Sequence, residues 1–252
     1  MEVAMSSVSR VADTEVGGSS GRLDASRSIV VCRLAAAAAL GVAVLYALSV
    51  PVGSLMSLPG TDAPATETLS FFVDHRDGML AAVVLNGIAW CALMPLVFVG
   101  LRARITGEGS GSLAASIALA AALVEAAMIG VALLFGAIAA YAAPDLSPDL
   151  ARVLDYGLAL GTSASAWPTV PCALAMAIAI RRSRVLPAYT ANLGLAVAAV
   201  HVLAGVGFAR TGAFSPDGIA LLGAPVFAVW MAVIGIALLR RGPELVPARS
   251  DA

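Results

Sequence analysis

Lysine is absent from the 252 residues, and all 15 basic side chains are arginine. Charged residues make up only 12% of the chain, where a soluble domain carries about 25%. With a net charge of −1 there is no basic stripe to neutralise phosphates, which excludes nucleic acid as a partner. Cysteine is scarce: Cys32, Cys91 and Cys172 form an odd set inside apolar runs, without Cys-x-x-Cys spacing. Neither a disulfide framework nor a zinc site is indicated, and all three read as small buried hydrophobes. Two histidines, one of them in a connection, leave no intramembrane pair for haem, and neither a His-Glu-x-x-His helix nor a P-loop is present. No metal and no cofactor are expected.

Apolar residues fill the space that charge leaves. They are 60% of the chain, and the mean hydropathy is +0.93. A core of this length cannot hide so much apolar surface from water, so the excess must face lipid. The fold class is therefore an all-α membrane protein. Six runs reach the roughly 20 residues a bilayer crossing needs, at 29–50, 79–101, 113–141, 153–180, 186–208 and 218–239. None shows the alternation of an outer-membrane strand, and helices satisfy their own backbone hydrogen bonds, so a bundle of six transmembrane helices follows. Residues 1–28, rich in Ser, Gly and mixed charge, read as a disordered cytoplasmic tail, 29–241 as the transmembrane domain, and 242–252 as a second cytoplasmic tail. The first run is too long for a signal-peptide core and reads as a retained helix. The connection 51–78 contains Phe71, Phe72 and Val73 among charges, which fits either a short interfacial helix or a solvated loop.

Arginine bias orients the bundle. Twelve arginines fall on one side and only Arg76, Arg152 and Arg210 on the other, which predicts a multi-pass protein of the bacterial inner membrane with both termini in the cytoplasm. Seven acids accompany the twelve arginines, leaving +5 inside. Eight acids oppose the three, leaving −5 outside, and one acid, Glu125, remains within the membrane.

Glu125 stands about 12 residues into the third run, roughly 18 Å of rise from the cytoplasmic end. A carboxyl there costs on the order of 2.5–3.5 kcal/mol to insert and normally faces the interior with a partner. Handling of a ligand, ion or proton is one reading, and a protonated group fastening helices is the other. By depth, Asn86 in the second run, Ser163 in the fourth and His201 in the fifth fall, like Glu125, in the outer half or near the midplane, so the four are candidates for one polar pocket. Trp167-Pro168 and Pro171 interrupt the fourth run; Pro removes a helix donor, and Thr162, Ser163 and Ser165 are placed to satisfy the freed carbonyls. Trp167 is a candidate ligand-stacking wall, with interior packing the default for it as for Trp90 and Trp230. Gly157-xxx-Gly161 is a close-packing signal.

Three short stretches carry a family resemblance: Ser183-Arg184-Val185-Leu186-Pro187-Ala188-Tyr189 leading into Leu193-Gly194-Leu195, Val124-Glu125-Ala126, and Ala228-Val229-Trp230 followed by Gly235. Together they resemble an uncharacterised bacterial membrane family, domain-of-unknown-function 4386, over about 29–241. The resemblance implies six spans and no activity. One departure is that the family pattern has an arginine shortly before the third-span glutamate, where this chain reads Ala120-Ala121-Ala122-Leu123.

The leading expectation is a membrane protein that binds or passes a small solute or proton through an outward-facing pocket around Glu125, with the lipid bilayer as its constant partner. The rival is a non-catalytic scaffold whose faces pack against a protein partner. An intramembrane hydrolase built on Ser163 and His201 lacks a Gly-x-Ser-x-Gly elbow, and the chain is read as not an enzyme.

Overall fold

The computed structural model describes residues 5–53, 55–105, 110–209 and 211–241, with side chains of the first helix described from Ile29 onward. The tail expected over 242–252, and with it Arg249, lies outside the described residues, as does Arg210. Among the described residues every regular element is helical. Five segments are long and apolar enough to cross a membrane: Ile29–Val52, Arg76–Arg104, Gly111–Asp145, Pro148–Ser183 and Ile219–Arg241. They fit a helical membrane bundle.

The expected run 186–208 differs. It forms a shorter helix, Ala188–Ala204, of 17 residues. At 1.5 Å per residue this spans about 25 Å, less than a bilayer core of about 30 Å. Gly205 ends it, with its N–H bonded to His201 O at 2.8 Å, and an irregular stretch leads to a short 3-10 turn at Ile219–Leu222. The first helix is α1 (Met5–Val52).

The ambiguous connection resolves into a helix, α2 (Ala65–Asp74). Thr68, Phe71 and Phe72 are buried, and the two phenylalanines join Met79, Ala139, Ala140, Ala143 and Leu154 in a satellite cluster at one end of the bundle. The second crossing is α3 (Arg76–Asn86), a π segment at Gly87–Leu93, and α4 (Met94–Arg104). Pro95 explains the π segment: it has no N–H for the carbonyl of Cys91, and its ring crowds that carbonyl. The wider turn before it bonds Met94 N–H to Ala89 O, five residues back, and shifts the register.

The third crossing, α5 (Ser110–Ala142), sorts its residues by spacing. Ile117, Val124, Val131 and Ile138 are exposed, whereas Ala115, Ala118, Ala122, Ile129 and Ala132 are buried. Glu125 stands three residues after Ala122 and so belongs to the inner stripe. Small residues let helices approach closely in lipid, where packing rather than the hydrophobic effect drives association. Here the Gly157-xxx-Gly161 signal is used within the chain: a Cβ at Gly161 would lie 2.8 Å from Ala132 Cβ, and one at Gly157 would lie 2.6 Å from the Phe135 ring. These contacts join α5 to α6 (Pro148–Ala164).

The fourth crossing breaks at Ser165 between α6 and α7 (Ala166–Ser183). The last two helices are α8 (Ala188–Ala204) and α9 (Gly223–Arg241). Arginine contacts gather at one end of the bundle. Arg102 Nε donates to Ser116 Oγ at 2.9 Å, Arg181 to Asn192 Oδ1 at 2.6 Å, and Arg241 to Arg184 O at 3.2 Å. The opposite end is acidic and is drawn together by Asp217, which accepts from Thr61 N at 2.6 Å and Thr61 Oγ1 at 2.8 Å.

Candidate functional site

A cavity of about 260 Å³ lies on the acidic side of the bundle. Its wall includes Asn86 from α3, Glu125 from α5, Ser163 from α6 and His201 from α8, so four of the five candidate residues meet there. Leu58, Pro216, Asp217 and Leu221 border it toward the acidic end.

Three local distortions build this space. The π segment carries Trp90 into the wall, where Trp90 Nε1 donates to Asn86 Oδ1 at 3.1 Å and Asn86 Nδ2 donates to Ala82 O at 2.9 Å. Around Ser165 the hydroxyls bond back to carbonyls three or four residues earlier. Thr162 Oγ1 donates to Leu158 and Ala159 O, Ser163 Oγ to Ala159 O at 3.0 Å, Ser165 Oγ to Thr162 O at 2.6 Å, and Thr169 Oγ1 to Ser165 O at 2.8 Å. The early end of α8 leaves room below the 3-10 turn that precedes α9.

Glu125 is 2% exposed, and its Oε2 has no hydrogen-bond partner among the described residues. The Thr169 hydroxyl approaches the carboxyl, and Cys172 is a further close neighbour from α7. An orphaned buried carboxyl oxygen is rare in a native fold and calls for an explanation.

His201 is held firmly. Its Nδ1 lies 2.8 Å from Val197 O, and since a carbonyl only accepts, Nδ1 carries the hydrogen. In the neutral ring this leaves Nε2 as an acceptor. The imidazole packs edge-on against Phe227 and covers Gly223, where a Cβ would stand 3.2 Å from Nε2. Glycine at 223 is what lets α9 start this close to the ring.

Trp167 corrects the sequence expectation. It is 58% exposed and does not line the cavity; its Nε1 donates to Gly205 O at 2.8 Å, and its ring lies against Phe208. The wall residues Ala159, Thr162, Ala166 and Thr169 follow helical spacing, and Trp167, the residue after Ala166, turns about 100° away from that stripe. Trp90 and Trp230 do pack inside, the latter donating to Thr190 O at 3.0 Å.

Among the polar wall residues, sequence reasoning missed Tyr46, Thr169 and Asp217, while Trp90, weighed with the other tryptophans as packing or wall, lines the cavity. Thr169 carried a usable signal, because it stands one helical turn after Ser165. Asp155 was also passed over. It is 2% exposed, its Oδ1 has no hydrogen-bond partner among the described residues, and it lies within electrostatic reach of Asp217 and Arg152. Comparison of the chain with family models, curated proteins and solved structures gives no match.

Proposed function

We propose that this protein binds or passes a small solute or proton through the cavity around Glu125, in the cell membrane. The observation that carries the reading is the meeting of Asn86, Glu125, Ser163 and His201 on one wall. Buried ionisable groups in membrane bundles are expensive and mark functional pathways by default. Broken helices lining a cavity are a recurring way of building such sites.

The topology we propose has six crossings with both termini cytoplasmic, α8 being the shortest. Supporting it are the arginine contacts gathered at one end, which by arginine bias is the cytoplasmic one. The cavity then faces outward. In this reading the family resemblance rests on the residues that carry it.

The test is Glu125→Gln in proteoliposomes, read as pH-dependent flux of solute or proton. The expected result is loss of the pH dependence. Unchanged flux in a working assay rejects the role and leaves Glu125 as a fastener between α5 and α7.

A further inference from the structure

The polar atoms of the cavity are unequal in kind. The hydroxyl hydrogens of Thr162, Ser163 and Ser165 are spent on backbone carbonyls one turn earlier, and the Thr169 hydroxyl stands between Ser165 O and the Glu125 carboxyl. The imidazole hydrogen of His201 goes to Val197 O, and the indole hydrogen of Trp90 goes to Asn86. What these groups turn toward a guest is therefore lone pairs: hydroxyl oxygens and Nε2 of His201. The Tyr46 hydroxyl and the second amide hydrogen of Asn86 are the side-chain donors left over. Two carboxyls, Glu125 and Asp217, belong to the wall, and no arginine does. Asp155 adds a third acid beside Asp217 at the acidic end.

An acceptor-rich wall with acids at its depth and at its mouth repels anions. A protonated amine, unlike a neutral guest, brings the opposite charge that a buried carboxyl needs in order to ionise. Among the described residues no three His, Cys, Asp or Glu side chains come together to hold a metal ion. The remainder of the wall is apolar, and the volume, about 260 Å³, equals roughly nine waters at about 30 Å³ each. That is far more than a proton or a bare cation fills.

We infer that the guest is a small organic cation, a protonated amine with a short apolar body, whose ammonium is seated at the orphaned Glu125 carboxyl. An ammonium brings several donors and no acceptor, which complements this wall. Its carbon skeleton lies toward Trp90 and the leucines, and Asp217 draws it in from the acidic end. This inference rests on the cavity being a solute site.

The test uses the full-length chain in nanodiscs of zwitterionic lipid and three probes of similar shape: 2-phenylethylammonium, 2-phenylethanol and 3-phenylpropionate. Equilibrium dialysis and thermal stabilisation are read for each. The ammonium is expected to bind saturably and at least tenfold more tightly than the alcohol, and the carboxylate not at all. Glu125→Gln should bring ammonium affinity down to that of the alcohol while leaving the alcohol unchanged, and Asp217→Asn should weaken the ammonium by a smaller factor.

If alcohol or carboxylate binds as tightly as the ammonium, the cation inference falls while the solute-site reading stands. Binding of none of the three overturns both. Saturable ammonium binding with unchanged Glu125→Gln flux keeps the inference and removes only the passage role. Should Glu125→Gln not fold, the ranking of the three probes on the unmodified chain still decides.

Discussion

The two halves of this bundle are made from the same residue types and pack in opposite ways. Toward the arginine end, Val97, Phe98, Leu101, Met176, Ile180, Met231 and Ile234 are completely buried and the interior is closed. Toward the acidic end the helices carry a π segment, a break at Ser165 and an early stop at Ala204, and the interior is hollow. Alanine and glycine give close contact in both halves. What differs is helix regularity: unbroken helices close, and helices interrupted near Pro95, Ser165 and Gly205 leave room. Irregular backbone at membrane depth is tolerated only where it is buried in protein or lines a cavity, and here it does the second.

The sharpest way to break the contrast is to open the closed half. Trp230, fully buried against Phe98 and Phe227, should cost about 3 kcal/mol or more on truncation to Ala. The figure lies at the low end of the large-to-Ala range because lipid reduces the transfer part and leaves the cavity part. Unfolding in mild detergent measures it.

Next comes a matched pair of enlargements. Ala177 sits where a Cβ on Gly194 would already touch it, so Ala177→Leu should destabilise by about 1–3 kcal/mol through overpacking. Ala166 borders the cavity, and Ala166→Leu should leave the melting temperature unchanged or raised while abolishing solute binding. Equal costs at the two sites would mean that the halves do not differ in packing.

A smaller effect is expected at the acidic mouth. Thr61→Val removes the hydroxyl bond to Asp217 and keeps the backbone one, which should cost about 1–2 kcal/mol for a charge-assisted bond and speed ligand exchange. Stopped-flow release rates read the second part. Smallest of all, Trp167→Ala should cost about 1 kcal/mol, the worth of its one bond to Gly205, with ligand affinity untouched. A large loss of affinity there would return Trp167 to the site.

Depth was legible in the sequence and direction around each helix was not. Counting rise along a run places Asn86, Glu125, Ser163 and His201 at similar heights, and hydropathy alone marks the apolar helices. For α5 the alanine stripe also tells which way Glu125 faces, because that helix is regular. For the fourth crossing the wall residues Ala159, Thr162, Ala166 and Thr169 keep helical spacing through Ser165, and Trp167, the residue after Ala166, lies about 100° around the helix from it and outside that stripe. The length of α8 was obscured by Val206 and Phe208, which continue the apolar run after Gly205 has ended the helix. Asp217 and Asp155 were hidden for another reason: their surroundings come from contacts distant in sequence, with Thr61 bonded to Asp217, 156 residues away, and Tyr156, next to Asp155, donating to Thr61 O across 95.

The π segment at Gly87–Leu93 has a consequence in the arithmetic of insertion and deletion. A π turn accommodates one residue more than an α-helix would at that place. Deleting a single residue between Gly87 and Leu93 should let α3 and α4 fuse into one continuous helix. The chain would lose none of its hydropathy, and α3 would keep its facing to α4, because six residues of α-helix turn about as far as seven in the wider π geometry. Asn86 would stay on the cavity wall, and only the local bulge that seats Trp90 beside it would be lost, so a one-residue gap that would scramble the faces of a regular helix is tolerated at this place.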